Sequence, residues 1–313
     1  MDIALVFPGQ GSQKPGMAKD LVDAHPVAAA LFDAADATLG MPLSTLCFEG
    51  PAETLMETRN AQPALLTHGI AMWRLLAEHL GAQVRCTAGH SLGEFTAHVA
   101  AGTFDFETAV TLVRTRGELM QEAGAARPGA MAAILGDINV RVRDLCEQAT
   151  REVGVVVPAN YNSPGQVVVS GEVAGVERLI ELAKAHGARK CMRLQVSGAF
   201  HSPLMNAARP GWLEALREVS IRDATVPVYA NVTGRQVTVA KQSRRLLGEQ
   251  MTSPVRWTET IRNIAEDFPG ITFIEVGPGH VLSGLIRKIV PDATVLPAGT
   301  AANLDAILAL PVA

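Results

Sequence analysis

The chain has 313 residues, 48% hydrophobic and only 19% charged, so a disordered or polar-tract protein is excluded and a large apolar core is available. Lysine and arginine number 27 against 31 acidic residues, a net charge of −4, which gives no sign of a general nucleic-acid binder. The four scattered cysteines form no CxxC pair and read as reduced, buried thiols, and no apolar run approaches the ~20 residues of a membrane helix, so a soluble cytoplasmic protein without a metal site is expected.

The elements follow one another in two styles. Ile3–Phe7 is a short apolar run stopped by Pro8-Gly9, a buried strand. Gln62–Leu80 repeats apolar residues at helical spacing and is closed by Gly81. Val84–Ala88 is a second strand, followed by a glycine-bounded turn and a helical stretch to about Ala101. Asp105 is placed to cap the next helix, which runs on to about Gly124. Alternating strands and helices predict a parallel sheet with helices on its faces.

The middle of the chain changes pattern. Ala130–Leu135, Val155–Asn160, Gln166–Ser170 and Lys190–Val196 read as strands, and Asn139–Thr150 and Val173–His186 as helices. This β-α-β-β-α-β order is the ferredoxin-like arrangement. It predicts a small subdomain over 127–196, inserted into a large α/β subdomain formed by 1–126 and 197–313. One continuous α/β domain is the alternative. After the insert the strands Val226–Ala230, Thr272–Val276 and Thr294–Leu296 resume the parallel pattern.

Gly89-His90-Ser91-Leu92-Gly93 is a G-x-S-x-G pentapeptide with an apolar run before it and a helical pattern after it. A serine on such a turn projects its hydroxyl, and the helix that follows aims free N–H groups at the same spot. A serine nucleophile needs a base. His90 adjoins Ser91 but points elsewhere in a turn. His201, in a loop where the chain re-enters the large subdomain, is one candidate and His280 its rival. The glycine-rich Pro8–Gln13 segment lacks the third glycine of a dinucleotide fingerprint and the Lys-Ser/Thr of a phosphate loop. Its better use is the backbone N–H of Gln10 as an oxyanion donor.

Taken in order, Phe7–Gln13, Gln62-Pro63-Ala64, Gly89–Phe95, Arg116–Met120, Asn162–Gln166, Gly198–Ser202 and Glu275–Gly279 resemble the malonyl-CoA:acyl-carrier-protein transacylases and the related acyltransferase domains of fatty-acid and polyketide synthases. The resemblance covers essentially the whole chain. It implies an α/β-hydrolase-like large subdomain and a ferredoxin-like small one, with Ser91 as nucleophile, His201 as base, and the N–H groups of Gln10 and Leu92 at the oxyanion. A main-chain carbonyl near Gln250 would steady the histidine. Arg116 would grip the free malonyl carboxylate, with Phe200, Gln250 and Asn162 also beside the substrate. Spacing alone instead allows a solvated Arg116 with Glu118 and Glu122 nearby.

The activity so implied is ping-pong transfer of malonyl from malonyl-CoA to the phosphopantetheine thiol of an acyl carrier protein, by a monomer that needs no cofactor and binds neither nucleic acid nor membrane. A trans-acting polyketide-synthase acyltransferase, a serine thioesterase and a docking module with a spent site are the rival readings. A base with an ordinary histidine pKa should make the rate fall in mild acid, so a rate flat from pH 5 to 9 is the outcome expected to count against His201. Arg189, Lys190, Arg193, Arg287 and Lys288 are candidates for steering an acidic carrier.

Overall fold

The structure is a computed structural model that describes residues 1–311, so the end of the 197–313 segment lies outside the described residues. Among the described residues ten strands make two sheets: β1 (Ile3–Phe7), β2 (Val84–Gly89), β3 (Ala130–Leu135), β4 (Val156–Ser163), β5 (Gln166–Gly171), β6 (Lys190–Arg193), β7 (Val228–Tyr229), β8 (Gln236–Val237), β9 (Thr272–Val276) and β10 (Val295–Ala298). The larger sheet has the order β10-β9-β1-β2-β7-β8 and is parallel except for the β7–β8 pair. β1 and β9 are buried at every residue, which suits strands covered by helices on both faces.

The chain runs outward from β1 to β2 and β7, then returns to β9 and β10 on the other side of β1. Reversals of this kind open a crevice at the carboxyl ends of the strands. The register pairs Phe7 with Gly89, so the loops leaving β1 and β2 start side by side.

The second sheet is antiparallel with the order β4-β5-β3-β6, the ferredoxin-like arrangement. The alternation along β3 divides its burial. Ala130, Ala132 and Ile134 pack with the helices Val142–Glu152 and Val173–Ala185, whereas Met131 and Ala133 join the main core. One face of this sheet therefore closes over the large one. Tyr161 N–H donates to Val255 O (2.9 Å) and Val255 N–H to Ala159 O (2.8 Å), stapling β4 to the segment before the helix Trp257–Asp267.

Several elements differ at their ends from the sequence reading: β4 runs on to Ser163, the helix expected over Asn139–Thr150 spans Val142–Glu152, and β10 spans Val295–Ala298. The helix expected from Gln62 begins at Thr58 and carries Pro63 inside it. The proline cannot donate to Arg59 O, and Arg114 Nη1 supplies a donor there instead (3.3 Å). β6 stops at Arg193 and not at Val196: the last bond to its partner β3 is Leu194 N–H to Met131 O (2.9 Å), one residue short of the Gln195 that the register would set opposite Ala130. The strand expected over Val226–Ala230 shrinks to Val228–Tyr229, with Pro227 lacking an N–H for a ladder.

Candidate active site

Ser91 sits at the turn between β2 and the helix Gly93–Ala100, with a positive φ of 52°. The flanking glycines are required by contact. A Cβ at Gly89 would lie 1.9 Å from Gly93 C, and one at Gly93 would lie 2.0 Å from Phe7 O. The N–H groups of the turn can be followed one by one. His90 donates to Phe7 O (3.0 Å), Ser91 to Asn231 Oδ1 (2.7 Å) and Gly93 to His90 O (2.9 Å). Among the described residues no protein acceptor takes the N–H of Leu92, nor that of Gln10 in the loop after β1. Backbone donors left free beside a cavity are available to an oxyanion.

His201 also has a positive φ, 56°, and is buried. Its Nε2 lies 2.7 Å from Ser91 Oγ, and its Nδ1 lies 3.0 Å from both Gln250 O and Ser253 O. Carbonyls only accept, so Nδ1 carries the hydrogen and Nε2 is left to accept from the serine hydroxyl. Burial, and after it the Arg116 charge, pushes the His201 pKa down to about 3. The imidazole is therefore neutral from pH 5 to 9. A rate flat over that range agrees with the base role, and the acid fall expected from an ordinary histidine moves to lower pH. His280 is exposed at the start of the helix Val281–Ile289 and plays no part here.

Arg116 lies on the helix Phe106–Ala126, which Asp105 caps by accepting from Thr108 N–H (2.8 Å). It is 1% exposed. Nη1 donates to Gln62 Oε1 (2.8 Å), and Nη2 to Gln250 Oε1 (2.8 Å) and Ser91 Oγ (3.3 Å). The Phe95 ring lies below the guanidinium, 5.3 Å from its carbon to the ring centroid. Burial lowers its pKa to about 10, which leaves it charged at neutral pH. All its hydrogen-bond acceptors are neutral.

A cavity of about 180 Å³ is lined by Gln10, Ser91, Leu92, Arg116, Phe200 and His201, with Met131 of the small sheet and Leu194 to Val196 at its side. Two of the residues expected beside the substrate bond other groups of the protein. Asn162 is not in the lining; its Oδ1 bonds His90 Nε2 (2.8 Å), and His90 stacks edge-on against Trp257. Gln250 also lies outside the lining and serves Arg116 with its amide and His201 with its carbonyl. None of the five cations considered for carrier steering lines the cavity; Arg193 is paired with Glu177, and Arg287 donates to Val295 O (3.1 Å).

Asn231 and Glu94 were given no role from sequence. Besides holding Ser91 N–H, Asn231 donates from Nδ2 to Gly89 O (2.6 Å) and from its backbone to Glu94 Oε2 (3.2 Å). Its only signal is an asparagine after a short apolar strand. Glu94 had a clearer one, as a carboxylate in a helix buried along almost its whole length.

A hydroxyl hydrogen-bonded to a neutral imidazole, next to unclaimed amides, equips a protein to carry an acyl group on serine. Enzymes of the acyl-transfer class are built this way. Within that class the chain belongs to the family described as the acyl transferase domain, whose model matches residues 4–301. It is 49% identical over 288 residues to the malonyl CoA-acyl carrier protein transacylase of Bacillus subtilis (strain 168), covering 92% of this chain and 90% of that protein. The enzyme of the same name from Escherichia coli (strain K12) is 42% identical over 307 residues, 96% of this chain and 98% of that one. Among solved structures, an acyl-carrier-protein-S-malonyltransferase from Bartonella henselae superposes with a TM-score of 0.94 at 40% identity, over 99% of this chain and 100% of that one. A malonyl-transacylase in complex with a type II PKS acyl-carrier protein gives 0.93 at 40% identity, over 98% and 99%.

Proposed function

We propose that this chain transfers the malonyl group of malonyl-CoA to the phosphopantetheine thiol of an acyl carrier protein, through a malonyl ester on Ser91. The observation that carries the reading is the buried Arg116 guanidinium, bonded only to neutral acceptors and 3.3 Å from Ser91 Oγ. A desolvated cation so close to the nucleophile suits a short acyl chain that ends in its own carboxylate. Malonyl meets that description, and a neutral acyl group would leave the cation without an anion. The names of the relatives support the same donor and acceptor.

In the first half-reaction His201 takes the Ser91 proton as Oγ attacks the thioester carbonyl, and the tetrahedral oxyanion rests on the N–H groups of Gln10 and Leu92. Collapse breaks the carbon–sulfur bond, and His201 returns the proton to the departing thiolate. In the second, His201 takes the proton of the carrier's thiol as the sulfur attacks the ester, and returns it to Ser91 Oγ as the bond from Oγ to the acyl carbon breaks. Phe200 packs beside the acyl chain. Every group required is a side chain or a main-chain amide, so the reading calls on no cofactor. Among the described residues no helix is long and apolar enough to cross a membrane, and the four unpaired cysteines suit a cytoplasmic setting. We also propose that residues 127–196 act as a unit that closes over the site from the small-sheet side.

The test is intact-protein mass spectrometry after exposure to malonyl-CoA. Wild type should gain one malonyl group and lose it to added holo carrier protein, and Ser91→Ala should gain none. Release of the group as free malonate at the same rate with and without carrier would make the protein a hydrolase instead.

A further inference from the structure

A second charge-bearing group is sealed in beside Arg116. Glu94, the first residue after the pentapeptide, is fully buried, and among the described residues it makes no ion pair. Gln250 stands between the two. Its Oε1 accepts from Arg116 Nη2 (2.8 Å), while its Nε2 donates to Glu94 Oε2 (2.7 Å) and to Ser91 O (2.9 Å). An amide turned end for end would set N–H against guanidinium N–H, and carbonyl against carboxylate. The acceptor at Glu94 thus decides which end of Gln250 meets the arginine. Glu94 Oε2 also takes Asn231 N–H (3.2 Å), while Oε1 has no partner among the described residues.

We propose that Glu94 is a positioning and specificity-determining residue: through Gln250 it orients the Arg116 guanidinium, and its own carboxylate competes with the carboxylate of the substrate for that cation. This rests on the malonyl-transfer reading and deepens it. The empty site holds one buried cation and one buried acid. A malonyl group adds a second negative charge, which the site accommodates best when Glu94 takes up a proton. By linkage, whatever raises the proton affinity of Glu94 on binding must weaken binding when that proton is scarce.

The titration falls in an accessible range. Burial raises the Glu94 pKa to about 7, against the lowering effects of Gln250, Asn231 and the Arg116 charge. Arg116, from the helix Phe106–Ala126, is the charged group acting on it. Burial holds His201 neutral, as it does His98, one turn along the same helix and bonded to Thr103, and burial also lowers the pKa of His90, whose Nε2 faces Asn162 Oδ1. His68, on the neighbouring helix Thr58–Leu80, bonds Gly299 O and is lowered to about 4. Tyr229 of β7 bonds Asp267 and is raised far above neutrality. Between pH 6 and 9 Glu94 is thus the group of this cluster that changes charge.

The experiment measures KM and kcat for malonyl-CoA from pH 6 to 9 in wild type and Glu94→Gln, with the inhibition constant of free coenzyme A, which shares the nucleotide and lacks the malonyl carboxylate. In wild type KM should climb about tenfold across the range while the coenzyme A constant stays level. Glu94→Gln keeps an acceptor for Gln250 and removes the charge, so its KM should stay near the low-pH wild-type value throughout. Glu94→Ala, which removes both, should raise KM and lower kcat at every pH; if it does not fold, the glutamine variant decides alone. A wild-type KM level from pH 6 to 9, a slope that survives in Glu94→Gln, or an equal slope for coenzyme A would overturn the proposal. A wild type that forms malonyl-Ser91 but shows one of those results loses only the role of Glu94; a wild type that forms no adduct loses the transfer reading as well.

Discussion

Arg114 and Arg116 stand two residues apart on one helix, about 200° from each other around its axis. Arg114 faces away from the nucleophile and is half-buried against the start of the helix Thr58–Leu80. Its Nε meets Glu118 at 2.6 Å, four residues on, and its Nη1 reaches Asn60 Oδ1 at 2.7 Å. Arg116 points inward, between Leu112 and Met120 along its face of the helix, and has amides and a hydroxyl for company. The outer arginine follows the pattern of the surface, where ion pairs lie in water and each contributes little. The inner one is stripped of water and touches no anion directly, Glu94 standing behind Gln250, an arrangement whose desolvation cost is offset when an anionic ligand arrives. Identical side chains acquire unlike roles because the helix turns one to an acidic partner at a half-buried edge and the other to the nucleophile.

The severest way to break this contrast is Arg116→Ala. Malonyl transfer should fall by about 10² to 10³ in kcat/KM, the loss expected when one member of a buried, hydrogen-bonded charge pair is truncated. Acetyl transfer should hold or rise, because a neutral acyl group no longer meets an unpaired cation. Steady-state kinetics with both thioesters checks it. A variant that kept its malonyl preference would place the recognition of the carboxylate on another residue.

Asn231→Ala probes the frame that holds the nucleophile. It leaves Ser91 N–H and Gly89 O without their partners, while the backbone N–H that donates to Glu94 is kept. Stability should drop by about 1–3 kcal/mol, the cost of stranded buried polar groups. Rates should fall by about tenfold for malonyl and acetyl alike, since the turn and not the cation is disturbed. Chemical denaturation and the ratio of the two rates separate this variant from Arg116→Ala, in which the ratio is what changes.

How much of this was legible follows the reach of each interaction. Ser91 was readable because its turn is local: an apolar strand, two glycines and a helix, all within a few residues. The free N–H of Gln10 follows from the same parallel-sheet logic. His201 needed the resemblance to separate it from His280, since its contact with Ser91 spans 110 residues. Asn231 meets Ser91 across 140 residues with no periodic signal to announce it. Arg116 is a different case. Its neighbours Leu112, Val113 and Met120, at helical spacing, already described a buried face, whereas Glu118 and Glu122 lie two and six positions on and do not share it. The solvated alternative looked to the wrong neighbours. Among the elements, the four-stranded insert showed in its alternation, but the early end of β6 did not. That end is set against β3, more than fifty residues away in sequence, and it frees Leu194–Val196 to flank the cavity.

The gentlest perturbation is Arg114→Ala, which tests the outer half of the contrast. The lost Glu118 pair is an i,i+4 contact on the surface, 43% exposed on the glutamate side, and should contribute no more than about 0.5 kcal/mol. The bonds to Asn60 Oδ1 and Arg59 O have more effect, because the second satisfies the carbonyl left over by Pro63. Water can reach that carbonyl once the side chain is gone, so the total loss should stay near 1 kcal/mol and appear as a small fall in the denaturation midpoint. The malonyl-to-acetyl ratio should not move. If it did, the helix could not be treated as two independent faces, and a change at Arg114 would be reaching Arg116 through Asn60 and Gln62 at the start of the Thr58–Leu80 helix.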